Sequence, residues 1–85
     1  MPLKAAPLLM IEWVDSCGSS GWHSPADYED WEPSACVSVG WLMRETDQGL
    51  AIAPHVSNVD ERDEKVDGLF MIPKVAITKR TVLIA

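Results

Sequence analysis

Long apolar runs are missing from this 85-residue sequence. The run at the start, "AAPLLMI", is interrupted by Pro7 and halted by Glu12, well short of the ~20 apolar residues that a membrane-spanning helix needs. The same stretch offers one lysine and no cleavage-site pattern, so no secretory signal is expected, nor any membrane partner, and the expected location is the cytoplasm. Cysteine and histidine are scarce, at two each. With so few thiols in an intracellular setting, Cys17 and Cys36 read as free, a single disulfide being the alternative. Basic residues are few as well: seven against 13 acids, for a net charge of −6. Such a chain is repelled by phosphate backbones, so general nucleic-acid binding starts at a disadvantage. Phe and Tyr occur once each.

Tryptophan, by contrast, occurs four times, and hydrophobic residues make up 47% of the chain, as in an ordinary globular domain. The length suits one domain, residues 1–85, with a core small enough that oligomerisation would be a natural supplement. No repeat or linker interrupts it. Leu8 to Asp15 ("LLMIEWVD") reads as a first strand. A polar loop follows, "SCGSSGWH", and then "SPADYEDW", where Ser24, Pro25 and Asp27 have the spacing of a capped helix start. Pro33 keeps that α-helix short, with Tyr28 and Trp31 expected to face inward.

Ala35 to Glu45 alternates as a strand, with Val37, Val39, Trp41 and Met43 on one face and Cys36, Ser38, Gly40, Leu42 and Arg44 on the other. On apolar content, Trp41 belongs to the core. The turn "TDQG" predicts a hairpin with Leu50 to Val56, and "SNVDERDEKVDG" reads as a charged loop. Leu69–Ile72 and Val75–Ile84 complete five strands, with Pro73 marking a sharp bend. Five short, strongly bent strands favour a small antiparallel barrel, partly open, over a flat sheet with long exposed edges.

From Val37 onward the chain resembles the Sm-like family. "VSVGWLMRETDQGLAIAPHVSN" is similar to that family's first motif, a strand with a central glycine, an acidic turn and a second apolar strand. "DGLFMIPKVAITKRTVLI" is similar to the second, and together they cover about half the chain. The resemblance implies a strongly bent barrel that joins its neighbours edge to edge, commonly in rings. It does not carry the family's RNA site with it. Asp47 sits one residue late after Gly40, Gly49 and Leu50 stand where an asparagine is expected, and Pro73-Lys74 replaces Arg-Gly. The wider pattern "EWVDS…GW…SVGWL…IP-x-x-AI", which runs over most of the chain, is also similar to that of small proteins encoded by bacteriophages and mobile gene cassettes.

The loop "WVDSCGSSGWHS" gathers Asp15, Ser16, Cys17, Ser19, Ser20 and His23, the ingredients of a nucleophilic triad. Its spacing is not that of a nucleophile elbow, and a flexible loop holds a general base poorly. No catalytic residue is assigned. Cys17, His23, Cys36 and His55 lie 6, 13 and 19 residues apart, without the close pairs of a zinc site, so no metal or cofactor is expected either. A phosphate cradle at "CGSSG" has no lysine beside it and faces Asp27, Glu29 and Asp30.

Trp13, at the end of its strand, is expected to pack on the helix. Trp22 and Trp31 flank the helix and either pin it to the barrel, the favoured reading, or form an aromatic platform. Lys74, Lys79 and Arg80 form the only basic cluster, an ordinary solvated face or a contact for an anion. The sequence therefore predicts a mainly β, five-stranded Sm-like or SH3-like barrel with one short α-helix after strand 1. The predicted role is that of a non-enzymatic accessory protein of the mobile-element type. It would form homo-oligomers through strand edges and engage a protein partner, with Trp22, Trp31, Lys74, Lys79 and Arg80 as candidate contacts. RNA or nucleotide binding is the alternative, which the acidic charge disfavours.

Overall fold

The computed structural model describes residues 5–85, and among these the chain is mainly β, with seven strands. The first, β1 (Leu8–Asp15), pairs antiparallel with β2 (Ser34–Glu45) through eight positions, from Leu8–Trp41 to Asp15–Ser34. A tight turn leads to β3 (Gly49–Ala53), with Thr46 Oγ1 accepting the amides of Gln48 and Gly49 at 3.2 and 3.1 Å. The short strands β4 (His55–Ser57) and β5 (Lys65–Asp67) pair only with each other. Next, β6 (Phe70–Pro73) returns to the other side of β3. Finally β7 (Ile77–Ile84) pairs with β1, giving one antiparallel sheet in the order β6-β3-β2-β1-β7 beside the two-stranded β4–β5 ladder.

The five-stranded antiparallel sheet agrees with expectation, and the sheet does not close into a barrel. β6 and β7 are the two edges of the sheet and do not pair with each other. β6 is only four residues long and ends in Pro73, which has no N–H to offer a ladder. The expected strand from Leu50 to Val56 breaks at Pro54, so its second half leaves the sheet as β4. Lys65–Asp67, in the expected charged loop, supplies β5 as its partner. Val75 lies in a 3-10 turn, Lys74–Ala76, and the last strand starts only at Ile77.

Nor is there an α-helix after β1. Pro25–Tyr28 is a single 3-10 turn, with the Asp27 amide donating to the Ser24 carbonyl and the Ser24 amide to Asp27 Oδ2. The local start signals are thus used as their chemistry directs. The turn buries no residue, and a helical turn without an apolar face to pack has little reason to lengthen.

Leu9, Ile11, Leu50, Ile52 and Ile72 form the core, with Trp13, Leu42 and Ile77 packed against them. Each fully buried aliphatic side chain contributes about 1.5–3 kcal/mol through removal from water. In register, Leu9 lies opposite Gly40 and Ile11 opposite Ser38. The inward face of β2 is therefore Cys36, Ser38, Gly40 and Leu42, the reverse of the assignment by apolar content. Val37 and Val39 are exposed, and Trp41 is half-buried on the outer side. Gly40 explains the reversal. A Cβ there would stand 2.9 Å from the carbonyl carbon and oxygen of Ala53, so β3 can curl over β2 only where no side chain intervenes. Trp13 packs on Phe70, ring centroids 5.5 Å apart, and donates through Nε1 to Ser38 Oγ at 3.1 Å; it does not rest on a helix.

The described chain spans 57 × 23 × 21 Å, with a radius of gyration of 16.9 Å. A compact chain of this length would have a radius of about 12 Å. From Val14 to Ala35 every residue is exposed except the half-buried Tyr28, so the far end of the β1–β2 hairpin and its loop form an arm outside the core. Gly40→Ala should lower stability by about 1–3 kcal/mol in urea unfolding, the usual range for forcing atoms into a packed site. Gly18→Ala, with nothing within 4 Å of the added carbon, should leave the midpoint unchanged.

Candidate interaction surfaces

Two of the three basic residues in the predicted cluster converge on a single carboxylate. Glu45, at the end of β2, accepts two hydrogen bonds from Arg80 on β7: Nη1 to Oε2 at 2.8 Å and Nη2 to Oε1 at 3.1 Å. Lys74 Nζ lies 3.0 Å from the same Oε2, and the Lys74 amide donates to the Gln48 carbonyl at 2.9 Å. Arg80 stands opposite buried Ile11 in register, so it reaches Glu45 from the inward side of the sheet. The three side chains tie the β2–β3 turn to the β6–β7 turn and to β7, linking edges that no backbone ladder joins. The bidentate bond from Arg80, followed by the bond from Lys74, lowers the Glu45 pKa from its ordinary 4.5 to about 2. The same pairing raises the pKa of Arg80.

Lys74 and Arg80 therefore have their charge engaged at Glu45. Lys79, the third member, lies opposite Glu12 across the β1–β7 ladder and makes no ion pair among the described residues. Sequence gave no sign of this clamp, because Glu45 meets partners 29 and 35 positions away, and strand alternation carries no information at that range.

The candidate tryptophans lie in the exposed loop between β1 and β2. Trp22 is fully exposed, with a relative accessibility of 104%, and does not pin the loop to the sheet. Trp31, 46% exposed, packs edge-on against Tyr28 with centroids 4.6 Å apart, and Tyr28 in turn meets His23 at 5.5 Å. The arm thus carries a small aromatic cluster of its own. No contact brings Trp22 or Trp31 together with Lys74, Lys79 or Arg80.

The serines and histidine of the loop are engaged locally. His23 Nε2 is 2.9 Å from the Ser20 carbonyl and 3.4 Å from Ser19 Oγ, while Tyr28 donates its hydroxyl to Ser19 Oγ at 3.5 Å. Asp15 accepts the Ser16 amide at 2.8 Å, and the Cys17 thiol donates to the Glu32 carbonyl at 3.5 Å. Both cysteines are free thiols. Among the described residues no three of His, Cys, Asp or Glu gather in a metal-binding arrangement.

Two apolar surfaces were not anticipated. Leu69, Phe70 and Met71 are exposed at the β6 edge, and Val82, Leu83 and Ile84 along β7. A cavity of about 510 Å³ also opens between the outer face of the sheet, at Trp41 and Ile84, and the β4–β5 ladder, where Pro54, Val56 and Val59 line it. The half-buried, outward position of Trp41 follows from the inward turn of Gly40, which alternation alone does not reveal.

No protein-family model matches the chain, and no curated protein or solved structure does so either.

The depressed pKa of Glu45 makes the clamp sensitive to acid. Its contribution to stability is complete above about pH 4.5, the unfolded value, and is lost as pH falls towards about 2, the folded value. Glu45→Gln should therefore be less stable than the parent near about pH 6, and the gap should close between about pH 4.5 and 2. Urea midpoints of the two proteins across that range provide the measurement.

Proposed function

We propose that the chain is a non-enzymatic assembly and protein-interaction module, an open relative of the Sm-like or SH3-like type, and that copies join through the free edges of the sheet. The observation that carries this reading is a pair of open edge strands, β6 and β7, both bearing exposed apolar side chains. An edge strand presents unpaired backbone N–H and C=O groups that a second strand can satisfy. Soluble chains commonly protect such an edge with charge, yet β7 ends in the exposed run Val82, Leu83 and Ile84. The β6 edge of one copy against the β7 edge of the next is a head-to-tail contact, which closes as a ring or continues as a filament.

A small core lends further support. Only five large side chains are fully buried among the described residues, which gives a domain of this size little reserve, and burial between copies would add to it. The accessory role in a phage or gene cassette rests on sequence resemblance. Protein is preferred to RNA or nucleotide as the partner because Lys74 and Arg80 are occupied by Glu45 and the net charge is −6.

Light scattering coupled to size exclusion tests the assembly. The parent chain should have a mass that is a multiple of the 9.4 kDa protomer, and Met71→Lys with Leu83→Lys should reduce it to one protomer without altering the far-ultraviolet spectrum. A lysine stem at position 71 keeps its methylenes over Gly49, so the exchange spares the fold. A parent chain that stays monomeric from about 1 to 100 μM would contradict the reading.

A further inference from the structure

From position 5 to position 43 the sequence holds no lysine or arginine, but it holds Glu12, Asp15, Asp27, Glu29, Asp30 and Glu32. The whole net charge of −6 therefore falls within the β1–β2 hairpin and its loop, while the remaining seven acids and seven bases cancel. Five of those six acids lie at the exposed end, from Asp15 to Glu32, alongside Trp22 and Trp31. Most of the arm's acids thus have no basic neighbour in sequence.

An exposed aromatic surface of one charge sign is selective. Trp22 is fully in water and meets no other ring, and the Trp31–Tyr28 pair leaves much of the Trp31 indole exposed. Indole faces attract cations, and arginine most readily, because its guanidinium is flat, weakly hydrated and able to form paired bonds with a carboxylate. Large aromatics that become buried on association are also the side chains that most often dominate binding energy. Phosphate backbones are repelled by the same acids. A second copy offers no complement either, since the rest of the chain has no net charge.

We propose that the arm formed by the loop between β1 and β2 is a docking surface for a basic, arginine-bearing segment of a partner protein, with Trp22 and Trp31 stacking its guanidinium groups and Asp27, Glu29, Asp30 and Glu32 pairing with their charge. The partner is held away from the sheet, because the arm lies beyond the core residues on β1 and β2. Edge assembly is not required, and a strictly monomeric chain would leave the arm competent. In an assembly, each copy would present one arm, and several weak contacts would act together.

Isothermal titration calorimetry on the full chain tests the proposal with four probes: hexa-arginine, hexalysine and hexaglutamate peptides and a single-stranded oligonucleotide. Hexa-arginine should bind, hexalysine more weakly, and hexaglutamate not at all. Raising salt from about 50 to 500 mM should weaken hexa-arginine binding, since exposed charges are screened. Trp22→Ser should weaken it by about fivefold or more, the size of effect expected for an aromatic anchor. Joint replacement of Asp27, Glu29, Asp30 and Glu32 by their amides should weaken it by about tenfold or more. Lys79→Ala, on β7 opposite Glu12 and outside the loop between β1 and β2, should leave it unchanged. These arm residues are exposed, so thermal unfolding of the variants should match the parent and exclude misfolding as the cause. Absence of hexa-arginine binding, equal affinity for hexalysine, indifference to Trp22→Ser and to the amide replacements, or tighter binding of an oligonucleotide would each overturn the proposal. Light scattering on the same variants reads edge assembly separately.

Discussion

Leu9 and Ile11 on β1, Leu50 and Ile52 on β3, and Ile72 on β6 are the large side chains fully withdrawn from water, and they all meet on one side of the sheet. This one-sided core depends on β3 curling over β2, and the curl depends on Gly40, where the backbone of Ala53 occupies the space a side chain would fill. The consequences spread outward from that contact. The curl places β2's Ser38 and Gly40 inward and leaves Val37 and Val39 outside. It carries β6 round on the far side of β3, yet β6 is too short and too early stopped by Pro73 to pair with β7. Glu45 then does with Lys74 and Arg80 what a closing ladder would have done, linking the turn between the edges to the edge strand itself.

Much of the sheet was legible in the sequence because strand alternation and turn chemistry are local. β1, β2 and the Thr46–Gly49 turn lie where the pattern places them, and the bend at Pro73 falls as its missing donor requires. The inward face of β2 was not legible. Alternation separates two faces but does not say which is buried, and apolar content favoured the Val37–Val39–Trp41 face. The deciding factor was the close approach of a backbone at Gly40, a tertiary fact. Ser24, Pro25 and Asp27 marked a helix start correctly at the level of hydrogen bonds, but helix length is decided by packing, and that turn buries no residue in the core. Pro54 likewise ended one strand and began another with a partner ten residues on, hidden in a stretch whose charge suggested a loop.

The candidate surfaces divide in the same way. Lys74, Lys79 and Arg80 are near in sequence, so they were easy to single out. Their engagement with a distant carboxylate was not readable, and it redirects two of the three from ligand recognition to holding the sheet. Trp22 could be placed only by the fold. In water, on a hairpin arm that carries the net charge of the chain, it becomes the anchor of the proposed docking surface. The proposed assembly and the proposed docking surface occupy different parts of the molecule: strand edges near the core for the first, and the tip of an arm for the second.

The central claim is that the sheet folds on its own core and that the arm is an appendage spared from that task. Asp15 and Ser34 are the last pair of the β1–β2 ladder, so residues 16–33 can be exchanged for an Asn-Gly pair that closes the hairpin directly. The shortened chain should unfold cooperatively in urea with a stability within about 0.5 kcal/mol of the parent, the range for changes that touch no packed feature. A chain that loses its cooperative transition, or is destabilised by more than about 2 kcal/mol, would show that the arm contributes to the core and would contradict the account.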